Sequence, residues 1–164
     1  MNLSDRIEID YPWKIVAYQN VLTDEKLAEY TKQFDEINWK DLWDSESCWW
    51  RVEDHDIVKD VTQLFGSPPD EVLLKLDLPE NTLQVPHCDD NDRQSLQLFL
   101  QVEDQPFGGT IVMDKPCKTG FEFPLLSNSM LYMDNGPNSW HYVRQRGYLR
   151  KSILMRWRMK RLER

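Results

Sequence analysis

The apolar positions of this 164-residue chain change their period once, near Pro68-Pro69. Before that point, Leu27, Tyr30, Phe34 and Ile37 recur every three or four residues, which places them on one face of a helix. Thr23 followed by Asp24-Glu25 opens that helix with a hydroxyl cap and acids in the first turn. A second, shorter helix is predicted around Asp56 to Phe65, with Ile57, Val58, Val61, Leu64 and Phe65 inward. Gly66 suits its C-terminal cap, and Ser67-Pro68-Pro69 stops any continuation. Ahead of both helices, residues 12–22 (PWKIVAYQNVL) read as an early strand running into a turn.

After Pro69 the pattern shortens to strands near residues 71–78, 82–87, 94–102, 110–114, 121–125, 129–134, 140–144 and 148–159. Turn residues separate them, among them Pro79-Glu80-Asn81, Gly108-Gly109, Lys118-Thr119-Gly120 and Asn135-Gly136-Pro137. Short strands at this spacing predict a barrel or a sandwich. The last strand is the clearest. Lys151, Ile153, Met155, Trp157 and Met159 form a mostly apolar side, expected to lie on the N-terminal helices. Arg150, Ser152, Leu154, Arg156 and Arg158 form the other side, which in a barrel is the lumen.

Composition narrows the function. The chain has 40% hydrophobic and 29% charged residues, a soluble globular balance. No stretch approaches the roughly 18 apolar residues that span a bilayer, and Met1 to Arg6 lacks the apolar core of a secretory signal. The formal charge of −8 argues against a general nucleic-acid binder. Residues 144–164 nevertheless hold nine of the 20 basic side chains and one acid, Glu163. They form either a solubilising tail or a positive surface for an anionic partner. Cys48, Cys88 and Cys117 have neither zinc-site spacing nor an even count. A reducing, cytoplasmic setting is the expectation.

The chemistry concentrates in a few residues. His87-Cys88-Asp89 sets an imidazole and a carboxylate at i and i+2, on the same face of a strand. His141 falls on a strand expected to be a neighbour in the barrel. Two histidines and one carboxylate on one face of a metal leave three positions open, the arrangement of non-haem Fe(II) oxygenases. A structural zinc site would want four closed ligands, usually with thiolates. Arg150 and Ser152 share the lumen-facing side of the last strand. A guanidinium fork with a hydroxyl beside it suits the far carboxylate of a dicarboxylic acid chelated to the metal.

These segments resemble a known family, the 2-oxoglutarate- and Fe(II)-dependent oxygenases, in their prolyl-4-hydroxylase-like branch. The likeness rests on Pro86-His87-Cys88-Asp89, Phe107-Gly108-Gly109-Thr110, Leu131-Tyr132-Met133-Asp134-Asn135, Trp140-His141-Tyr142-Val143 and Gly147-Tyr148-Leu149-Arg150-Lys151-Ser152. The entry segment Ala17 to Thr23 adds to it. The resemblance spans roughly residues 14–157. It implies a mainly β fold with N-terminal helices, a double-stranded β-helix (jelly-roll, cupin-like) barrel. One domain over 1–164 is expected, with helical support over about 1–69 and the barrel over about 70–160.

By the same resemblance, His87, Asp89 and His141 would ligate Fe(II), and Arg150 and Ser152 would hold the C5 carboxylate of 2-oxoglutarate. The reaction would be hydroxylation of an unactivated C–H bond with release of succinate and CO2, using O2, with ascorbate as a supporting reductant. The substrate would be a prolyl residue in a peptide or protein, or a small molecule, with no membrane and no nucleic acid as partner. Asp89 argues against a halogenase, in which that carboxylate gives way to halide. Two alternatives stand beside this: a non-catalytic metal- or ligand-binding barrel, and a nucleic-acid demethylase on the same fold.

Family members often carry a tyrosine on the strand before H-x-D that also touches 2-oxoglutarate. Leu73 to Leu78 holds none, which leaves Tyr132 or a residue on the 94–102 strand as the candidate. Trp39, Trp43, Trp49 and Trp50 fall within twelve positions and read as packing of a connecting segment or as a substrate-facing wall. His55, among Glu53, Asp54 and Asp56, reads as a solvated helix start. Asp90, Asp92 and Arg93 are expected in a loop at the barrel mouth, and Cys88 is expected to point away from the metal as a small core residue.

Overall fold

In chain order the elements are β1 (Arg6–Ile9), β2 (Ile15–Tyr18), α1 (Asp24–Asp35), β3 (Ser47–Arg51), α2 (Ile57–Phe65) and β4 (Glu71–Asp77). There follow β5 (Arg93–Val102), β6 (Thr110–Met113), β7 (Phe121–Phe123), β8 (Ser129–Asp134), β9 (Trp140–Val143) and β10 (Arg150–Arg158). The structure is a computed structural model and describes residues 1–39, 47–52, 55–78, 85–89, 93–102, 109–115, 120–124, 126–143 and 149–158.

Two antiparallel sheets face each other. The larger has seven strands in the order β1-β2-β8-β5-β10-β4-β3, and the smaller has three in the order β7-β6-β9. β10 lies between β4 and β5 and fixes the register of the centre, with Ser152 opposite Lys75 and Arg150 opposite Asp77. Its alternation sorts as the sequence predicts. Ile153 and Met155 are fully buried in the core between the large sheet and the helices, with Tyr30, Phe34, Ile57 and Val61. Each contributes roughly 1.5–3 kcal/mol by removal from water. A second core fills the space between the sheets with Ile15, Phe99, Val102, Val112, Phe123, Leu131 and Met133.

The helices form where the caps predict. Thr23 Oγ1 accepts from the Lys26 amide, and Gly66 closes α2 in the left-handed region at φ 77°. Leu64 and Phe65 depart from expectation and are exposed. Phe65 instead stacks on Tyr132 and meets Trp157 on the outer face of the large sheet. Gly109 ahead of β6 has a steric reason, because a Cβ there would collide with the carbonyl of Phe123. Among the described residues no helix is long and apolar enough to cross a membrane.

Three strands come from the first 69 residues. β1 and β2 extend one edge of the large sheet, and β3 closes the other by pairing with β4. The strand predicted over 82–87 reduces, in residues 85–87, to a single bridge between His87 and His141.

Candidate metal centre

His87, Asp89 and His141 converge. One ligand atom from each lies within 4.8 Å of the others. His141 stands on β9 opposite Val112 of β6. His87 is brought to it by a reciprocal pair of backbone bonds, amide to carbonyl at 3.0 and 2.9 Å. Asp89 follows at i+2 and so shares the face of His87. Its Oδ1 is 3.9 Å from His87 Nε2, and its Oδ2 is 3.7 Å from His141 Nε2.

The backbone also sets the tautomers. His87 Nδ1 lies 2.8 Å from the Val85 carbonyl, and His141 Nδ1 lies 2.9 Å from the Ser139 carbonyl. A carbonyl only accepts, so each Nδ1 carries the proton and each Nε2 presents its lone pair. Burial pushes the His141 pKa down, outweighing the upward pull of Asp89, which keeps that ring neutral. The Nε2 atoms of both rings and the Asp89 carboxylate therefore face one another. A divalent cation resolves that arrangement, and N,N,O ligation with open positions suits Fe(II).

Asn135 was not singled out by the sequence. It is buried at the end of β8, and its Nδ2 reaches Asp89 Oδ2 at 3.3 Å and Ser95 Oγ at 3.1 Å. It stands in the turn Asn135-Gly136-Pro137 and closes the resemblance segment Leu131 to Asn135, and neither gave it a role.

A cavity of about 130 Å³ opens beside the three ligands, walled by Trp49, Lys75, Gln97, Thr110, Leu154 and Arg156 among others. Trp49 thus belongs to the wall, while Trp39 stacks on Phe34 at 4.6 Å in the helix layer. Arg150 and Ser152 lie deeper in the barrel, both fully buried. Arg150 Nε donates to Asp77 Oδ2 at 2.6 Å, and Ser152 Oγ accepts from Gln97 Nε2 at 3.0 Å. Arg150 does not line the cavity, but Lys75 does. The Lys75 ammonium lies 3.1 Å from Asp77 Oδ1 and 4.7 Å over the Trp49 ring.

Several expectations resolve differently. Tyr132 faces the outer groove with Phe65 and Trp157, so it cannot stand in for a lumen tyrosine; Gln97, on the 94–102 strand, does reach the cavity. His55 starts α2 but is buried, with Nδ1 accepting from the Ile57 amide at 3.1 Å. Cys88 is only half-buried, with Sγ 3.5 Å from the Pro137 carbonyl. Asp90, Asp92, Trp43 and the side chain of Arg93 lie outside the described residues. In the basic C-terminal stretch, Lys151 pairs with Asp35 and Arg156 with Glu71.

No family model matches the sequence, and no curated protein matches it significantly. Solved structures do match in shape. A Pseudomonas putida prolyl-4-hydroxylase superposes with a TM-score of 0.71 at 14% identity, over 89% of this chain and 92% of that one. The fold is that of the 2-oxoglutarate- and Fe(II)-dependent oxygenases. A Burkholderia pseudomallei oxidoreductase of the 2OG-Fe(II) oxygenase family gives 0.62 at 12% identity, over 87% and 84% of the two chains. HygX from Streptomyces hygroscopicus, solved with nickel and 2-oxoglutarate bound, gives 0.65 at 7% identity, over 90% and 83%. The mainly β, double-stranded β-helix architecture is thereby established, together with an intact H-x-D…H triad on it.

Proposed function

We propose that this protein is an Fe(II)- and 2-oxoglutarate-dependent dioxygenase that hydroxylates an unactivated C–H bond, with a prolyl residue of a peptide or protein as substrate. The observation that carries this reading is the convergence of His87, Asp89 and His141 as three acceptors beside a walled cavity. The bound metal and 2-oxoglutarate would supply oxidative decarboxylation to succinate and CO2, coupled to transfer of one oxygen atom from O2 to the substrate carbon.

The chain's own residues supply placement. His87, Asp89 and His141 would hold the metal beside the cavity, with the His141 ring kept neutral by burial. Asn135 aims the carboxylate, and the Val85 and Ser139 carbonyls aim the rings, as outer-shell partners do. The buried cations Lys75, in the cavity wall, and Arg150, outside it, offer counter-charge to an acidic cosubstrate. The prolyl class is supported by the shape likeness to the P. putida prolyl-4-hydroxylase and by the aromatic wall at Trp49. A reducing cytoplasm would keep both the iron ferrous and the Cys88 thiol free.

The test is anaerobic addition of Fe(II) and 2-oxoglutarate, which should produce the visible charge-transfer band of the chelate. Admission of O2 should then release succinate, and prolyl peptides should gain the mass of one oxygen. A protein that binds Fe(II) but shows neither band nor succinate is not this enzyme.

A further inference from the structure

Three arginines stand on the lumen side at the outer end of the large sheet. Arg156 and Arg158 belong to the polar side of β10, and Arg51 shares the face of Trp49 on β3. With Asp70 and Glu71 they line a cleft of about 240 Å³. Arg156 and Arg158 come from the basic C-terminal stretch, for which the metal centre provides no use. Arg156 joins this cleft to the chemistry, because it also walls the cavity that holds His87, Asp89 and His141.

Register fixes its height in the barrel. Arg156 lies opposite Glu71 of β4 and Ser95 of β5, and directly opposed residues point to the same face. Ser95 Oγ accepts from Asn135 Nδ2, which also reaches Asp89 Oδ2. Arg156 is therefore in the cross-strand row that braces the metal-ligating carboxylate. Leu154, one row inward, lies opposite Gln97, and both line the cavity. Arg158, one row outward, lines the cleft. A polar track thus leads from the metal to the surface through Arg156.

The present partner of Arg156 is exchangeable. Its Nη1 donates to Glu71 Oε2 at 3.2 Å, and Arg51 pairs with the other oxygen of the same carboxylate. The Arg156 side chain is 24% exposed and that of Arg51 is 67% exposed. Pairs in contact with water are weak. When Arg156 turns to another acid, Glu71 keeps Arg51. A guanidinium has five N–H donors in one plane, so Arg156 has a fork to offer a second carboxylate.

We infer that Arg156 receives a carboxylate of the substrate, so that the protein selects a substrate with an acidic group close to the carbon it oxidises. That group is the own carboxylate of a free amino acid or the side chain of a residue flanking the target in a peptide. This rests on the oxygenase reading above and adds a charge requirement to it. Trp49, in the same wall, offers an aromatic face to the apolar part of the target.

The experiment uses protein loaded with Mn(II) in place of iron and with 2-oxoglutarate, and reads probe binding from paramagnetic broadening of the probe's proton resonances. The probes come in pairs that differ in one acid: L-proline against L-prolinamide, and short blocked peptides with Asp or Asn on either side of a proline. In wild type the acid should bind about 10-fold more tightly than its amide, the size of one charge-assisted hydrogen bond. A preference in the first pair assigns the carboxylate to a free amino acid, and one in the peptide pairs assigns it to a flanking residue. Arg156→Gln should bring the acid down to the level of its amide. Arg156→Lys, which keeps the charge without the fork, should retain part of the preference and carries the test if the glutamine variant does not fold. No acid preference in any pair in wild type, one that survives in Arg156→Gln, or one undiminished in Arg156→Lys overturns the inference and leaves the oxygenase reading standing. Wild type that holds Mn(II) but does not bind 2-oxoglutarate overturns both.

Discussion

Arg150 and Asp77 are directly opposed across β10 and β4, and the guanidinium donates through Nε to a carboxylate with no solvent exposure. Burial pushes the Asp77 pKa up, but Arg150 and Lys75 outweigh it and hold the carboxyl below its ordinary range. Removing Asp77 would strand two buried cations side by side. Removing either cation leaves one neutral pair. Asp77→Asn should therefore be the most destabilising change in the group, by about 3–5 kcal/mol. Lys75→Met should cost less. Chemical denaturation of the three proteins orders them, and an Asp77→Asn midpoint equal to wild type would contradict the account.

Asn135 touches the metal centre only through Asp89, at 3.3 Å. Such outer contacts fix a ligand's orientation and typically govern metal affinity by about 10–100-fold. Asn135→Ala should weaken Mn(II) binding by that order. Asp89→Ala should abolish it, together with any 2-oxoglutarate turnover. Titration followed by the Mn(II) paramagnetic resonance signal gives both constants. Retained affinity in Asp89→Ala would mean that the metal sits elsewhere.

How much of this was legible in the sequence follows from where burial imposes a pattern. β10 is buried on both faces, so its alternation announced both the helix-facing Ile153 and Met155 and the lumen-facing Arg150 and Ser152. The i, i+2 relation of His87 and Asp89 also held, although His87 pairs through one bridge and not through a strand. β1 and β3 went unseen because they are edges. Arg6 to Glu8 is exposed on both faces, and Trp49 and Trp50 both stay partly in water, so neither strand shows an alternation. Lys75 and Asp77 were readable in principle. Two charges at i, i+2 between Leu74, Leu76 and Leu78 share one face of the strand, opposite the leucines. Asn135 had no such signal, since its contacts with Asp89 and Ser95 cross 46 and 40 residues.

His55 ties fold stability to acidity. Burial lowers its pKa from the ordinary 6.5, outweighing Asp56 and Glu29, and its Nδ1 accepts the Ile57 amide at the start of α2. The unfolded chain takes up a proton near 6.5, whereas the folded chain resists until lower pH. The unfolded state thus binds more protons between those points, and stability falls as pH drops through that window. Above about 6.5 the contribution is fully present. His55→Asn, which keeps a side-chain acceptor for the amide, should flatten this part of the profile in thermal denaturation between pH 7 and pH 5, on the scale of ordinary histidine titration. An unchanged profile would place the acid sensitivity in other groups.

Lys75 makes the opposite kind of prediction, at alkaline pH. Burial lowers its pKa to about 8, with Arg150 also lowering it and Asp77 and Asp89 raising it; the Trp49 ring also lies over the ammonium. Below that value it is charged in both folded and unfolded chains, and the folded chain bears the cost. As pH rises from about 8 toward the ordinary 10.5, the folded chain sheds the proton first, so this residue's contribution to stability increases. Thermal denaturation from pH 8 to pH 10.5 should therefore show a gain in stability that Lys75→Gln lacks, and a gain of equal size in that variant would assign the titration to another group.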